Sequence, residues 1–349
     1  MSLTQTAYMS RNLIKYGGIG LVVFLFLWTG MTAAIKAYKA AHPPYTPPDM
    51  RFGILPKLVF PEKTFEKKEF TKALPGDVFP KFSDQAKVYV VYLPKTLYGS
   101  LDYAKSIAKD LGFAGEPTET KTGSGIYEFK SENLNQVLRM NVLDGSFVLK
   151  YPYESDQMLL SPDKMPMKEG AIDIARAYLA KANKLPKDIE GGEKKVSFWK
   201  IEFDGLKLVE SLSEANMIRV DFFRETTDNK LKLMTSEPGK AAISVLVSGS
   251  SVEGKKVVEI NYRYVDIDRQ SFSSYPIKTV ETAFNDLKAG NYWPASDNQS
   301  GSAKIKNVYL AYFEPVNLTN YLQPVFVFEG DNQFVGYVSA ILDKYVKQN

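Results

Sequence analysis

Residues 249–256, GSSVEGKK, come within one position of the phosphate-binding pattern G-x-x-x-x-G-K-[ST]. In that pattern the last residue supplies a hydroxyl to Mg²⁺, and the loop leads from a strand into a helix whose amides face the phosphates. Here the last residue is Lys256, and the residues that follow, KVVEINYRYVDI, alternate as a strand does. We therefore predict a hairpin loop here and no nucleotide site.

Three other strings contain the residues of serine acyl-transfer chemistry, in which a serine at a helix start is the nucleophile and a lysine lies one turn later. They are Ser161-Pro-Asp-Lys164, Ser296-Asp297-Asn298 and Lys121-Thr122-Gly123. Pro166 would end a helix soon after Lys164. The strings also occur in a different order from that of penicillin-binding enzymes. A cell-wall enzyme that uses Ser161 and Lys164 is therefore the third of our functional hypotheses.

Carboxylates are the remaining candidates, because the chain has no cysteine and its only histidine is His42. These counts argue against thiol nucleophiles, serine–histidine–aspartate catalysis and histidine zinc sites. Asp266 and Asp268 lie on one face of a predicted strand end and could bind a divalent cation. No further ligand follows at a recognisable spacing, so we predict a solvated strand end. The sequence predicts no catalytic residue, no metal site and no cofactor.

The net charge of +4 is spread unevenly along the 349 residues. Residues 36–81 hold nine Lys or Arg against five acids, whereas residues 82–349 are close to neutral. A near-neutral folded part argues against a nucleic-acid partner. The basic residues adjoin an apolar segment, where anionic lipid would attract them.

That apolar segment, residues 17–35, carries no charge and lies between Lys15 and Lys36. Nineteen helical residues span about 28 Å, close to the thickness of the hydrocarbon core. We predict a single transmembrane helix, with a cleaved signal peptide as the alternative. Gly30 and Ala34 are spaced for close contact between helices, so self-association through this helix is a further possibility.

The missing cysteines and the large folded part favour a short cytoplasmic tail, residues 1–16, with the rest outside a bacterial cytoplasmic membrane. Residues 36–81 contain four prolines within six positions and predict an extended basic spacer, in which His42 has no catalytic role.

The exterior part repeats one order of elements, an amphipathic helix followed by several strands. Helices are predicted over 101–113, 167–186 and 275–290, and strand alternation follows each of them. We predict an α+β fold of three tandem modules, each an antiparallel sheet with a helix across one face. The modules cover residues 82–160, 161–270 and 271–349, with a turn over 268–275 near the second boundary.

The third module reads IKTVETAFNDLKAGNYW over 277–293 and NVYLAYFEPVNLTNYLQPVFVFEGDNQFVGYVSAI over 307–341. It resembles the PepSY-like modules of the YycH/YycI group of bacterial membrane-anchored proteins. The resemblance implies one membrane helix, exterior helix-plus-sheet units and non-catalytic regulation of a sensor histidine kinase.

Within this module the residues 329–333 predict a turn between two strands, and Pro324 predicts an edge or first-strand position. The runs of Val and Phe over 325–328 make both faces of the first strand apolar, so that strand should be central or covered.

Three functions remain open from the sequence. The first is a non-enzymatic regulator that binds a protein partner in the cell envelope. The second is a structural component of an envelope assembly or secretion complex, and the third is the serine enzyme described above.

Overall fold

The computed structural model describes residues 3–41, 45–66, 68–92, 99–160, 164–227, 230–296, 301–314 and 319–347. The chain forms two compact units, Met1–Pro48 and Asp49–Asn349. The first unit contains the helix α1, Leu3–Ala41. Its segment Leu13–Lys39 has a mean hydropathy of 2.0 and is long and apolar enough to cross a membrane, a criterion that a signal sequence also meets.

The second unit is built mainly of strands, with short helices between them. The strands are β1 Glu69–Lys72, β2 Gln85–Tyr92, β3 Thr118–Glu119, β4 Ile126–Lys130, β5 Val137–Asn141, β6 Phe147–Lys150, β7 Lys194–Glu202, β8 Gly205–Val209, β9 Met217–Phe222, β10 Leu233–Met234, β11 Ile243–Ser248, β12 Val257–Tyr262, β13 Asp266–Pro276, β14 Trp293–Ser296, β15 Ser302–Phe313, β16 Tyr321–Gly330 and β17 Val335–Ser339. The helices are α2 Ser100–Asp110, α3 Gln157–Leu160, α4 Lys168–Lys181, α5 Lys187–Gly191, α6 Glu253–Lys256 and α7 Val280–Ala289. The α+β class with one N-terminal apolar helix is confirmed.

The strands form two sheets. Sheet A has the order β1-β15-β16-β17-β14, while β10 pairs with β15 and β2 pairs with both β13 and β16. In sheet A the strands β1 and β10 run parallel to β15, and the other pairs are antiparallel. Sheet B is antiparallel, with the order β3-β4-β5-β6-β12-β11-β9-β7-β8.

The division of the chain between these sheets differs from the three predicted modules. Strand β6 pairs with β12, as in Leu149 opposite Ile260, so the first two predicted modules share sheet B. Strand β2 pairs with β13, with Val88 opposite Ser273, so it belongs to sheet A. In the sequence, all strands of sheet B therefore lie between β2 and β13, which are neighbouring strands of sheet A. Alternation predicts a strand but not its partner, and tertiary packing selects the partner.

Residues 268–275, predicted as a turn, lie inside β13. The register against β2 shifts between Asp268 and Phe272, and this irregularity accommodates the polar residues 269–271. Tyr275 is fully buried in the core of sheet A. Burial of the Tyr275 side chain stabilises this segment as a strand.

The predicted spacer over residues 36–81 also differs from the structure. Helix α1 continues to Ala41, and from Asp49 onward the chain belongs to the second unit. Leu55, Leu58 and Phe70 are buried there, and β1 pairs with β15. Burial of these apolar side chains outweighs the conformational effect of the prolines, which restrict the backbone but leave it free to pack. His42 lies outside the described residues.

Helices cover one face of each sheet, as predicted. On sheet B, α2 and α4 pack into one core through small and aliphatic residues at helical spacing. These buried residues are Ala104, Ile107, Ala108, Ala171, Ala175 and Leu179. On sheet A, α7 is capped at its start by Thr279, whose hydroxyl accepts from the Thr282 amide at 3.2 Å. It ends at Gly290, which has φ +92° and suits a left-handed C-cap.

Strand β16 is the central strand of sheet A, as its two apolar faces predicted. Val325 and Val327 pack on one face, and Phe326 and Phe328 on the other. The edge position predicted for Pro324 is wrong. The Pro324 carbonyl accepts from the Ala340 amide at 3.1 Å, so its missing N–H would point to the same side. Pro324 lies where the pairing with β17 starts, and the Ala340 carbonyl that would face its missing N–H accepts from the Lys278 amide at 2.7 Å instead.

Candidate binding cleft between the two sheets

The described residues 223–227 and 230–242 connect two neighbouring strands of sheet B by way of sheet A; we call them the crossing segment. The segment leaves β9, forms β10 against β15, and returns to sheet B at β11. The Tyr312 amide donates to the Lys232 carbonyl at 2.9 Å, and the Glu314 amide donates to the Met234 carbonyl at 2.8 Å. The crossing segment therefore holds the two sheets together by backbone hydrogen bonds.

A buried arginine lies where this segment begins. The Arg224 side chain is 2% exposed, and its Nη1 donates to Asp188 Oδ2 at 3.0 Å. Its Nε lies 3.1 Å from Glu314 Oε1, and its Nη2 donates to the Val265 carbonyl. The guanidinium carbon is 4.1 Å from the centroid of the Tyr264 ring, a favourable cation–π distance. Arg224 follows β9 of sheet B and Glu314 directly follows β15 of sheet A, so their ion pair links the two sheets.

The pKa of Glu314, the buried carboxyl of this cluster, is shifted from its ordinary value. Burial raises the pKa of Glu314, while the nearby Arg224 charge opposes that rise. Within the described residues neither Arg224 Nε nor Glu314 Oε1 has an aligned hydrogen-bond partner, so proximity holds this pair. The Tyr264 hydroxyl donates to Asp188 Oδ1 at 2.9 Å, and burial raises the pKa of that tyrosine. Loss of one partner would leave an uncompensated buried charge.

The crossing segment contributes to two clefts between the sheets. The larger cleft has a volume of about 620 Å³, within the range of drug-sized ligand pockets, and charged or polar side chains of both sheets line it. They include Lys195, Arg224, Lys232, Tyr309 and Glu329. The smaller cleft is lined by Arg219, Glu237, Lys240, Glu259, Arg263 and Glu314. Both clefts present positive and negative groups, an arrangement suited to peptide-like ligands and not to a polyanion.

Close packing and hydrogen bonds shape the larger cleft. A Cβ on Gly192 would lie 1.8 Å from the Phe223 carbonyl oxygen, so only glycine fits there. Opposite, Glu329 accepts from the Tyr309 hydroxyl at 2.9 Å and from Asn307 Nδ2 at 3.0 Å. Burial, followed by the bond to Glu329, raises the pKa of Tyr309. The tyrosine therefore stays protonated at neutral pH and acts as a hydrogen-bond donor.

The strings of serine chemistry lie on separate elements. Lys164 is exposed and precedes α4 without forming a helix, and Ser161 lies outside the described residues. Ser296 ends β14, and the next two residues of that string also lie outside the described residues. Residues 121–123 form the turn between β3 and β4. Nothing in the described residues assembles these groups into the geometry that acyl transfer needs.

The predicted hairpin loop at residues 249–256 is confirmed. It connects the antiparallel strands β11 and β12 through the four-residue helix α6. Lys255 of this loop pairs with Asp156 Oδ2 at 2.6 Å and also lies 5.5 Å from the Tyr151 ring. The lysine that would bind phosphate in a nucleotide site therefore has a structural partner.

The two predicted strand-end carboxylates lie at the start of β13 and serve local structure. Asp268 accepts from the Tyr92 hydroxyl at 2.7 Å and from the amides of Gln270 and Ser271 at 2.9 and 3.1 Å. The bond from Tyr92, followed by those from Ser271 and Gln270, lowers the pKa of Asp268 to about 2. Across the described part of the chain no group of three or more potential ligands could hold a metal ion.

The Arg224 cluster and the clefts were not predicted. Arg224 and Glu314 are separated by 90 positions, and neither belongs to a sequence motif. The only local signal is that each follows an apolar strand, where a charged residue normally marks a solvated strand end.

Comparisons with known proteins assign no family. No protein-family model matches the sequence, and no curated protein matches it. Among solved structures, an uncharacterized protein from Eubacterium rectale is 12% identical, with a TM-score of 0.41 over 74% of this chain and 84% of that chain. The C-terminal domain of Bacillus megaterium YpeB is 13% identical, with a TM-score of 0.29 over 69% of this chain and 91% of that domain. At these low scores neither likeness carries an inference about function.

Proposed function

We propose that this chain is a membrane-anchored, non-enzymatic binding protein whose second unit lies outside a bacterial cytoplasmic membrane. The observation that carries the proposal is the segment Leu13–Lys39, apolar enough to remain in the bilayer. The absence of cysteine favours an oxidising exterior for the second unit. On this proposal residues 1–16 are cytoplasmic and the anchor is not cleaved.

The binding role is supported by the larger cleft and by its charged lining. Lys195, Lys232 and Glu329 offer both signs of charge next to backbone groups of two sheets. Such a surface fits a protein or peptide better than a nucleic acid or a single charged metabolite. We propose a partner in the envelope, such as a sensor kinase, on which the protein acts by contact.

The orientation has a direct test, because a chain without cysteine accepts single reporter cysteines. Ser10→Cys places a thiol before the apolar segment, and Asp204→Cys places one at the exposed tip between β7 and β8. In intact spheroplasts a membrane-impermeant maleimide should label the Asp204→Cys variant and should label the Ser10→Cys variant only after permeabilisation. The reverse pattern would overturn the topology.

The non-enzymatic role is tested by the residues of the rival hypothesis. Ser161→Ala and Lys164→Ala should leave the cellular phenotype of the gene unchanged, since neither residue has a chemical role in this proposal. Charge reversal in the cleft at Lys195 and Lys232 should reproduce the phenotype of a gene deletion while membrane levels of the protein stay normal. Full activity of the cleft variant, or loss of activity in Ser161→Ala, would contradict the proposal.

A further inference from the structure

One edge of sheet A has an opening in the middle of a long strand. Strand β1 pairs with β15 over residues 302–305, and β10 pairs with it over residues 312–313. Both lie on the edge of β15 that faces away from β16. Between them, residues 306–311 have no strand partner among the described residues on this edge. We call these six residues the open edge.

The backbone groups of the open edge point outward. The Tyr312 amide bonds to Lys232 of the crossing segment, so this residue directs its N–H away from β16. Because alternate residues of a strand share that direction, Leu310 and Val308 direct their N–H and C=O groups away from β16 as well. Tyr309 and Ala311 direct theirs toward β16, opposite Val327 and Val325. No hydrogen bond within the described residues occupies the outward groups of Val308 and Leu310.

The open edge adjoins the larger cleft. Tyr309 lies within the open edge and also lines that cleft, together with Lys232, which directly precedes β10. Lys306 and Lys232 are both exposed, and neither forms an ion pair with a described residue. An added strand would thus meet two available cations, one within the open edge and one beside it. Strand addition uses such edges, with backbone bonds giving affinity and alternate side chains entering pockets.

We propose that the open edge binds an extended, acidic peptide segment of the partner protein as an added strand of about five residues. The segment pairs with the outward groups of Val308 and Leu310. One of its side chains enters the larger cleft, and a carboxylate lies between Lys232 and Lys306. This inference rests on the proposed function, because it specifies how the second unit binds its partner.

The openness of the edge is tested first by amide hydrogen exchange on the full chain in nanodiscs, read at single-residue resolution. The amides of Val308 and Leu310 should exchange faster than those of Tyr309 and Ala311, which bond to β16. Equal protection at all four amides would overturn the proposal, since the edge would then be occupied within the protein itself.

Binding is tested with a displayed library of random ten-residue peptides selected against the full chain in nanodiscs. Selected peptides should be acidic, and their binding should slow exchange at Val308 and Leu310. Lys232→Glu combined with Lys306→Glu should weaken them about tenfold or more, because like charges then face each other. The matched control combines Lys109→Glu with Lys200→Glu, two exposed lysines elsewhere on the second unit, and should bind as the wild type does.

The backbone contribution is tested by Val308→Pro, which removes an outward N–H without removing a bond to β16. The variant should lose peptide binding while keeping the far-UV circular dichroism of the wild type. If it does not fold, the lysine variant decides the outcome. Peptides that bind both lysine variants equally, protect other amides, or are not enriched at all would overturn the proposal.

These failures are distinguishable from failure of the proposed function. A reversed maleimide pattern refutes the exterior location and leaves peptide binding at the open edge unaffected. Correct topology with no protection of Val308 and Leu310 refutes the open edge and leaves the membrane-anchored binding role in place.

Discussion

At the scale of single residues, Arg224 is the clearest case of a charge whose role depends on the fold. Its guanidinium is buried and touches Asp188, Glu314 and Tyr264, which come from three distant parts of the sequence. A buried ion pair adds little net stability compared with apolar residues of the same volume, yet removal of one partner is costly. The cluster therefore contributes more to the relative placement of the two sheets than to the net free energy of folding.

The first prediction concerns this pair. Arg224→Ala should lower the free energy of unfolding by about 3–5 kcal/mol, because Asp188 and Glu314 lose their buried counter-charge. Combining Arg224→Met with Glu314→Leu should recover part of that loss, since Glu314 no longer leaves a buried unpaired charge and Asp188 keeps the hydrogen bond from the Tyr264 hydroxyl. Urea denaturation followed by tryptophan fluorescence measures both variants. The control Lys256→Ala removes an exposed pair with Glu253 and should leave the stability almost unchanged. A single variant as stable as the wild type would contradict the assigned role.

The second prediction concerns Asp268 and acid. Its hydrogen bonds from Tyr92, Ser271 and Gln270 lower its pKa to about 2 from an ordinary value of 3.8. Because the folded-state pKa is lowered, the stabilisation is present above pH 3.8 and is lost as pH falls through about 2. Wild-type stability should therefore fall more steeply between pH 4 and pH 2 than that of Asp268→Asn, as measured by thermal melting across that range. Parallel pH profiles of the two proteins would show that these bonds do not favour the ionised carboxyl.

At the scale of elements, the crossing segment and β13 determine how the two sheets are joined. Both contain polar residues that sequence patterns associate with loops, yet both form strands of sheet A. In β13 the buried Tyr275 supplies the stabilising contact, and in the crossing segment the hydrogen bonds from Tyr312 and Glu314 do so. A short strand in an otherwise polar segment forms when a neighbouring edge offers it partners.

The third prediction tests how tightly the crossing segment packs against α5. Gly192→Ala should destabilise the protein by about 1–3 kcal/mol, because the added methyl group would collide with the Phe223 carbonyl. Gly115→Ala is the control, since its Cβ would lie 3.6 Å from the Lys130 carbonyl, an ordinary contact. Thermal melting of the two variants gives the comparison. Equal melting temperatures would mean that the backbone at position 223 moves aside at little cost.

At the scale of the whole molecule, the chain consists of an apolar helix and a folded unit with its own cores. The hydrophobic clusters of the second unit contain residues from Met50 onward, so the unit buries its apolar surface without the helix. Apolar side chains of the helix, such as Phe26 and Trp28, are exposed, and the segment is long and apolar enough to cross a membrane.

The fourth prediction follows from this division. Deletion of residues 1–48 should yield a soluble chain whose second unit melts within a few degrees of the detergent-solubilised full chain, because no core residue is lost. A truncation that removes residues 1–72 is the matched comparison. It should be strongly destabilised, since Leu55, Leu58 and Phe70 leave the core of sheet A. Calorimetry of both truncations measures the difference, and a destabilised first truncation would contradict the prediction.

Periodicity was sufficient to place most elements. The helical spacing over 101–113 predicted α2, whose buried residues are Ala104, Ile107 and Ala108. The open edge, the clefts and the Arg224 cluster could not be predicted in this way. Each depends on which strands become neighbours, and a short-range pattern carries no information on that choice.

The sequence by itself determined the apolar helix, the α+β class, the burial of both faces of β16 and the absence of sites that need cysteine or several histidines. These properties depend on residue types and on spacings of a few positions, where side-chain polarity and backbone preference decide the outcome. Only the tertiary structure decided that β2 pairs with β13 although all strands of sheet B come between them in the sequence, and that Arg224 contacts Glu314. Those outcomes depend on pairings across tens to hundreds of positions, which competing burial energies select only when the whole unit packs.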